Sequence, residues 1–393
     1  MRKILTKVVP VSAVALMAVG FAGTAHAVDF KVSGQVDRAF VYANNGKRSD
    51  AGSVDNNGSN SRFRFTGSQA MGDGLKLGFT YEIGLTQMPS SSWDIGQNSN
   101  GSVQLDTRIV DAHLQTNFGT FSLGKGDGAA HYADTRDLSG TNFIGGGVEY
   151  EDYNGGITFV DGAGHKLYTI GETNSDFNSL GRVSRIRYDS PSLNGFVASG
   201  SFDNGHAYEL ALRYDLHLPK SVKVKAGLSW TDSENQGIAI DPATGAGYIP
   251  TSRVRILNGS ASLLLADGLV FSVSAAHAKT ADVTGKDTVV TATGLPGQKG
   301  YDATNYFGQI GYVFGQNHVV ASYGETQDYP YAGFKARQIG AAYVFDWTNA
   351  VELYASFHHY QLALPAYVKN ATSGFTSAKN INVVFSGLRI KFM

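Results

Sequence analysis

Apolar and polar residues alternate along most of this chain. In the first clear segment, Phe30, Val32 and Val36 fall on one face of an extended strand, whereas Lys31 and Gln35 fall on the other. Runs of about 8–14 residues repeat this two-residue period, and turn-forming residues separate them. Beyond the N-terminal segment, no long stretch carries the 3.6-residue period of an amphipathic helix. The pattern predicts an all-β protein made of hairpins.

Sixteen strands are predicted, with ends placed to within about three residues. They cover residues 30–43, 61–70, 74–86, 104–117, 120–126, 181–190, 195–203, 206–216, 221–232, 251–265, 268–280, 301–314, 318–327, 334–346, 350–362 and 380–393. Short turns alternate with longer connections between them, apart from a brief link near Asn204 where a long one is expected. An up-and-down barrel sorts its connections in this way, because successive connections lie at opposite rims. The sequence predicts a transmembrane 16-stranded antiparallel β-barrel.

A membrane barrel gives the two strand faces particular roles. A closed barrel leaves no unpaired backbone group in lipid, so its apolar face meets lipid and its polar face lines water. Aromatic residues near the strand ends favour interfacial girdles, with their general preference for strands as the alternative explanation. These residues are Phe40, Tyr42, Tyr81, Tyr188, Trp230, Tyr306 and Tyr343.

The first 27 residues have the pattern of a secretory signal peptide. Three basic residues precede an apolar run over 8–23, and Ala25-His26-Ala27 fits a small-x-small cleavage site. Cleavage is predicted after Ala27, so that Val28 begins a mature chain of residues 28–393. An uncleaved anchor is the alternative, but the apolar run is short for a membrane-spanning helix.

Composition narrows the class of protein further. Charged residues make up 17% of the chain, below the roughly 25% of soluble domains. The chain has no cysteine, which excludes disulfides and Cys-ligated metals. Without the three basic residues of the signal peptide, 29 basic and 33 acidic residues remain, a net charge of −4. Because this balance offers no basic stripe to a phosphate backbone, no nucleic-acid partner is expected.

The sequence resembles the Gram-negative general porins over its whole length. The motifs that carry the resemblance, in their order along the chain, are Ser33–Ala39, Ser61–Ser68 followed by Gly72–Lys76, Phe118–Lys125, Asp137–Thr141 and Tyr188–Phe196. The resemblance implies a homotrimer in the cell outer membrane, with outer-membrane lipid, lipopolysaccharide and the barrel-assembly machinery as partners. Porins usually end on an aromatic residue that this machinery reads. Phe392 is the expected signal here, although Met393 follows it.

The longest connection, 127–180, is the expected constriction loop. Loops of this length are usually functional, and its place after the fifth strand resembles the porin loop that folds into the barrel. A hairpin pattern over 155–171 is assigned to this loop rather than to the wall. The candidate pore acids of the loop are Asp127, Asp134, Asp137 and Glu149.

The opposing candidates are arginines on the strands. They are Arg62, Arg64, Arg108, Arg185, Arg187 and Arg38. Ile186 and Tyr188 take the opposite face from Arg185 and Arg187, which directs these two arginines to water, since arginine on a lipid face costs about 2–4 kcal/mol at the midplane. Arg38 shares its parity with apolar residues, so a bulge would be needed to turn it inward.

The expected function is passive diffusion of ions and small hydrophilic solutes through a water-filled channel. The charges of the two rows nearly balance, which predicts a weak ion preference. One alternative is a channel specific for a sugar or a small anion such as an organic acid, with Tyr354 and Tyr360 as a pore-facing aromatic ladder. Another is an adhesin or an enzyme on a barrel scaffold. No cofactor or metal is expected, since the adjacent His358 and His359 point to opposite faces.

Overall fold

The computed structural model describes residues 28–97, 101–144, 146–204, 206–233, 238–240, 248–250, 253–280, 288–290, 296–298, 301–366, 368 and 377–393. The predicted signal peptide 1–27, with Ala27 at its end, lies outside the described residues. None of the helices in the described part of the chain is long and apolar enough to cross a membrane.

Sixteen antiparallel strands form a closed wall among these residues. They are β1 (Asp29–Asn44), β2 (Arg62–Gly72), β3 (Leu75–Thr86), β4 (Gln104–Thr116), β5 (Gly119–Asp127), β6 (Arg182–Asp189), β7 (Phe196–Asp203), β8 (Tyr208–His217), β9 (Lys223–Ser233), β10 (Val254–Leu264), β11 (Leu269–Thr280), β12 (Asp302–Phe314), β13 (Asn317–Gln327), β14 (Lys335–Asp346), β15 (Val351–Ala363) and β16 (Ile381–Phe392). Each strand pairs with its neighbours along the chain. Strand β16 returns to β1, with Gly34 opposite Phe392 and Asn44 opposite Asn382, so the sheet has no open edge in the wall.

The predicted strands are confirmed, since each segment coincides with one wall strand to within 3 residues at either end. The hairpin pattern over 155–171 forms the short strands Thr158–Val160 and Lys166–Thr169, which pair with each other and not with the wall. One additional strand, Ser49–Asp55, extends the barrel by pairing with β1. Its sequence, SDAGSVD, is too poor in apolar residues for alternation to reveal it. Short strands also pair within the connections after β9 and β11, at Ile238–Ile240 with Tyr248–Pro250 and at Thr288–Val290 with Pro296–Gln298.

The two faces of the wall differ as the alternation predicts. On β11, Phe271 and Val273 are exposed outward, whereas Ser272 and Ser274 are buried inward. The aromatic residues proposed for the girdles are all exposed on the outer side. An apolar outer surface with aromatic residues near strand ends fits a barrel whose outside faces lipid.

The connection between β5 and β6 runs inside the barrel. It contains two short helices, α1 (Tyr150–Asn154) and α2 (Ile170–Thr173), and its apolar side chains pack on the inner wall. The buried cluster joins loop residues and wall residues, among them Ile144, Tyr153, Ile157, Phe159, Leu167, Val41, Phe307, Tyr360 and Phe385. The apolar core of the molecule therefore lies between this inner loop and one side of the wall.

Close contacts fix the inner loop against the wall. The Tyr360 hydroxyl donates to the Tyr150 carbonyl at 3.0 Å, and the Asn258 amide donates to the Phe177 carbonyl at 2.9 Å. Gly324 on β13 permits one approach, because a Cβ atom there would lie 2.4 Å from the Tyr150 ring. Hydrogen bonds and close packing thus hold the loop against the inner wall. In this position the loop narrows the interior of the barrel.

Candidate functional site

The inner loop leaves an open space of about 720 Å³ against the opposite wall. Among the described residues, six cationic side chains line this cavity: Arg62, Arg108, Arg136, Arg182, Lys225 and Arg389. Five acidic side chains also line it: Asp137, Glu149, Asp152, Asp346 and Glu352. The cavity therefore holds four of the site residues predicted from sequence, Arg62, Arg108, Asp137 and Glu149, together with seven other charged residues.

Three arginines on β2 and β4, the two strands that flank β3, converge on one carboxylate of β3. Arg64 Nε lies 2.6 Å from Glu82 Oε2, and Arg108 Nε lies 2.7 Å from Glu82 Oε1. Arg62 Nε lies 4.0 Å from the same carboxylate. Glu82 itself is buried. One negative charge therefore faces three positive charges, and this part of the wall carries a cationic excess of two.

The neighbouring strands explain how this cluster forms. Arg64 lies directly opposite Glu82 across the β2–β3 hairpin. On β4 a bulge occurs, because Glu82 pairs with Ile109 and Ile83 pairs with Thr107, which leaves Arg108 as the additional residue. A bulge re-aims the side chain of its extra residue. Here the guanidinium of Arg108 reaches Glu82 and the cavity.

The remaining cations of the cavity come from distant parts of the chain. Arg182, at the start of β6, lies 3.2 Å from Asp127 and donates to the Tyr132 hydroxyl at 2.8 Å. Arg389 on β16 binds Glu352 and donates to the Ser59 hydroxyl at 2.9 Å.

Arg136 and Lys225 face the cavity from the loop and from β9. Arg136 pairs with Asp215 on β8. Lys225 lines the same space with no ion-pair partner within the described ranges. It therefore adds a positive charge to the cavity wall.

The acids of the inner loop are less charged than their number implies. Burial raises the pKa of Glu149 well above its usual range, and nearby carboxyl groups, first Asp152, raise it further. Burial and the adjacent Asp176 raise the pKa of Asp152 to about 7. Burial also lowers the pKa of His131 to about 4, so this imidazole is neutral at physiological pH. Burial therefore favours the protonated form of Glu149, and Asp152 is only partly ionised near pH 7.

Asp137 is held by hydrogen bonds instead of by a cation. The Gln309 amide donates to its carboxylate at 2.6 Å, and the Ser272 hydroxyl donates at 2.7 Å. These contacts attach the first part of the inner loop to β11 and β12. Asp134 does not face the pore, contrary to the prediction. It is buried, and the burial raises the pKa of its carboxyl group well above the usual range.

The arginine pair on β6 faces inward but binds the base of the loop. Arg185 pairs with Asp111 at 2.8 Å, and Arg187 pairs with Asp189 at 2.7 Å. Arg187 also donates to the backbone carbonyl of Gly128 at 2.9 Å. Both side chains lie outside the lining of the cavity. The predicted acid Asp127 belongs to this region too, through its pair with Arg182.

Arg38 lies away from the cavity, contrary to the prediction. Its guanidinium donates to the Gln87 carbonyl at 2.9 Å and to the Ser53 hydroxyl at 3.3 Å. Val36 and Phe40, which share its parity on β1, are exposed on the outer surface. No bulge interrupts the pairing of β1 with β16 at this point, so Arg38 keeps the outward direction of its neighbours.

The aromatic ladder suggested for a sugar channel does not form. Tyr354 is 3% exposed and Tyr360 is fully buried. The Tyr354 hydroxyl donates to Asp37 at 2.6 Å. Because both rings are buried, neither offers a surface on which a sugar could slide. The described residues also contain no group of three or more His, Asp or Glu side chains arranged to hold a metal ion.

A sequence profile described as Gram-negative porin matches residues 12–362. The chain belongs to this family. None of the curated proteins matches it significantly.

Solved structures of porins have the same fold. The anion-selective porin from Comamonas acidovorans is 17% identical, with a TM-score of 0.62 over 93% of this chain and 100% of that one. The trimer form of OmpT, an outer membrane protein of Vibrio cholerae, is 14% identical, with a TM-score of 0.56 over 93% of this chain and 100% of that one. Salmonella typhi OmpF, in complex with daunomycin, is 13% identical, with a TM-score of 0.57 over 92% of this chain and 97% of that one.

Family and architecture together define what this porin does. It is an outer-membrane β-barrel that forms a channel for passive diffusion, and both family and fold indicate a channel rather than an enzyme.

Proposed function

We propose that this porin is a diffusion channel with a preference for small anions over cations. The observation that carries the proposal is the convergence of Arg62, Arg64 and Arg108 on the single carboxylate of Glu82. Fixed charge at a constriction between low-dielectric walls has a strong effect on ion entry, because the walls concentrate the field. This local charge outweighs the net charge of −4 that the mature chain carries as a whole.

The sequence predicts that the loop acids nearly balance the strand arginines, and burial of the loop acids changes this charge balance. A nearly neutral constriction requires each acid of the loop to be ionised. Burial raises the pKa of Glu149 well above its usual range and that of Asp152 to about 7, so these acids offset less of the positive charge than fully ionised carboxylates would. Lys225 adds to the excess from β9. The description of the Comamonas acidovorans porin as anion-selective agrees with the proposal for this chain.

Reversal potentials in planar bilayers test this function directly. A salt gradient across a bilayer that holds the purified protein should give a reversal potential of the sign set by anion permeation. Small neutral sugars should pass without saturation, because Tyr354 and Tyr360 are buried and do not line the channel as an aromatic ladder. A cation-selective reversal potential would contradict the anion preference, and hydrolysis of phospholipid or peptide by the purified barrel would contradict the assignment as a channel alone.

We also propose that the mature protein is a homotrimer of residues 28–393. The support is the Ala25-His26-Ala27 motif and the trimer form of the OmpT barrel. Native mass spectrometry of protein extracted from the outer membrane should give three copies of a chain that begins at Val28. A mass that includes Met1, or a stable single copy in mild detergent, would contradict the respective part of the proposal.

Two further partners follow from the outer-membrane location. Phe392 is proposed as the signal for the barrel-assembly machinery. Its ring packs on Phe63 of β2, with the ring centres 5.6 Å apart, while Met393 is fully exposed beyond it. The second partner is the surrounding lipid, including lipopolysaccharide, which the apolar outer wall would contact.

A further inference from the structure

A second cavity, of about 390 Å³, lies between the inner loop and one side of the wall. The loop lines it with residues 151–152 and 175–181, and β10 lines it with the inward-facing side chain of Ile256, which is 7% exposed. Ligand pockets in proteins occupy about 300–1,000 Å³, so the cavity has the size of a small-molecule site. Because it lies inside the barrel, a ligand would reach it from water and not from lipid.

Three aromatic rings line this cavity. They belong to Phe177 of the inner loop, Tyr301 just before β12 and Tyr329 just after β13. The Tyr329 ring centre lies 5.3 Å from that of Phe177 and 5.2 Å from that of Tyr301, and its plane makes angles of 90° and 79° with theirs. The Phe177 and Tyr301 ring centres are 6.0 Å apart, with an angle of 31° between the planes. Rings from three separate parts of the chain thus meet at one corner of the cavity.

Hydrogen bonds to the wall hold the backbone that carries two of these rings. The Phe177 carbonyl accepts from the Asn258 amide at 2.9 Å. The Tyr301 N–H donates to the Thr280 hydroxyl at the end of β11 at 2.8 Å, and the Tyr301 carbonyl accepts from the Thr280 N–H at 2.9 Å. A lining that is already held in place loses less conformational entropy when a ligand binds.

The charged side chains of this cavity are all acidic. Glu151, Asp152 and Asp176 line it, and no basic side chain does so among the described residues. One Glu151 oxygen accepts from the Asp176 backbone N–H at 2.8 Å, whereas Oε2 is buried and receives no hydrogen bond from the described part of the chain. Burial raises the pKa of Glu151 well above its usual range, and the adjacent Asp176 raises it further. A cation in the cavity would therefore meet carboxyl groups that have no positive partner in its lining.

We propose that this cavity binds a small quaternary ammonium cation such as choline. The electron-rich faces of aromatic rings attract such a cation, and the attraction is stronger in a desolvated site. A quaternary ammonium group has no N–H donors to satisfy, so aromatic rings can replace its water shell while the carboxyl groups supply the opposite charge. A metal ion is a poorer match, because it needs several oxygen ligands around one point and the described acids form no such group of three.

Calorimetric titration of the purified barrel with choline tests the site. At about pH 8 Asp152, whose pKa burial raises to about 7, is mainly ionised. The variant Tyr301→Leu/Tyr329→Leu should bind choline about 30-fold more weakly than the wild type, because two desolvated rings are lost. The variant Tyr301→Phe/Tyr329→Phe keeps both rings and should bind choline as the wild type does.

A neutral analogue separates the contribution of charge from that of shape. The analogue in which carbon replaces the choline nitrogen should bind the wild type at least about 10-fold more weakly than choline, because it lacks the positive charge that the rings attract. The variant Glu151→Gln should weaken choline binding and leave the binding of the neutral analogue unchanged. Tyr312 and Phe314 provide a matched aromatic control on the outer surface, where their ring centres are 5.7 Å apart. The variant Tyr312→Leu/Phe314→Leu should bind choline as the wild type does.

Several results would overturn the proposal. Equal affinities for choline and the neutral analogue, or unchanged choline binding in Glu151→Gln, would contradict a cation site even if Tyr301→Leu/Tyr329→Leu failed to fold. Equal losses in the leucine and phenylalanine variants would assign binding to the tyrosine hydroxyls instead of the rings. Displacement of choline by an equal concentration of calcium would identify a metal site. Reversal potentials in a chloride salt gradient separate this inference from the anion preference, because the tyrosine variants keep every arginine of the larger cavity and should retain the wild-type value.

Discussion

Replacement of Arg62 and Arg108 by glutamine should remove most of the anion preference of the channel. The two substitutions leave Arg64 paired with Glu82 at 2.6 Å, so the excess of two positive charges in this cluster disappears. A unit charge about 4 Å from a permeating ion is worth about 1 kcal/mol even in bulk water, or about fivefold in permeability. The ratio of anion to cation permeability should therefore fall at least about fivefold in dilute salt. Reversal potentials in a chloride salt gradient provide the measurement.

Two comparisons make this result specific. The variant Arg337→Gln removes an arginine from the outer surface, where its side chain is 45% exposed, and should keep the wild-type reversal potential. The effect should also shrink at about 1 M salt, where the screening length falls to about 3 Å. If Arg62→Gln/Arg108→Gln retains the wild-type reversal potential in dilute salt, the cluster does not control permeation and the proposed constriction is wrong.

The fold could be predicted because its signals are local. Alternation marks each strand, and the turn residues mark each hairpin, so strand ends agree with the structure to within 3 residues. The pairing of Arg64 with Glu82 was equally accessible, since the two residues are equidistant from Asp73 at the centre of the β2–β3 turn. Glu82 was not predicted as a site residue, because it lies on a strand whereas all the predicted pore acids lie in the 127–180 connection.

The rest of the site depends on features that a strand pattern does not contain. Arg108 was predicted as a pore residue, but the bulge that turns its side chain toward Glu82 and the cavity was not. Arg389 and Arg136 join the site only when the barrel closes and the loop folds back inside. Asp134 was expected to face the pore because it is charged, but it is buried once the loop has folded inside the barrel. The sequence shows that these charged residues are present, but whether each side chain points into the cavity depends on the tertiary structure.

The charge state of the loop could not be predicted for the same reason. A carboxyl group loses its charge when burial makes ionisation costly, and burial is known only once the loop is seated. The acids of the inner loop thus look like a negative row in the sequence, whereas burial raises the pKa of Asp134, Glu149 and Asp152 in the folded channel. Their titration provides the second large expected effect.

The anion preference of the channel should fall as the pH rises through about 7. Burial and the neighbouring Asp176 raise the pKa of Asp152, which lines the cavity, to about 7, and burial raises the pKa of Asp176 to about 6. Below pH 6 Asp152 is neutral, and above pH 8 it adds a negative charge beside the arginines. The permeability ratio should change by about fivefold between these limits, from about 1 kcal/mol for one charge at close range. Reversal potentials measured from about pH 5 to pH 9 in dilute salt test this dependence.

The same ionisation should loosen the seated loop, which gives the prediction a second measurable consequence. A carboxyl group whose pKa is higher in the folded state binds its proton more tightly there, so its contribution to stability is greatest at low pH and is lost as the pH rises from about 4 towards 7. Current fluctuations should therefore increase above pH 7, as repulsion between Asp152 and Asp176 releases the loop.

The variant Asp152→Asn should abolish the pH dependence of selectivity and reduce these fluctuations. Asp29→Asn, at an acid 67% exposed at the start of β1, should do neither. A wild-type reversal potential that stays constant from pH 5 to pH 9 would show that Asp152 does not titrate next to the permeating ions.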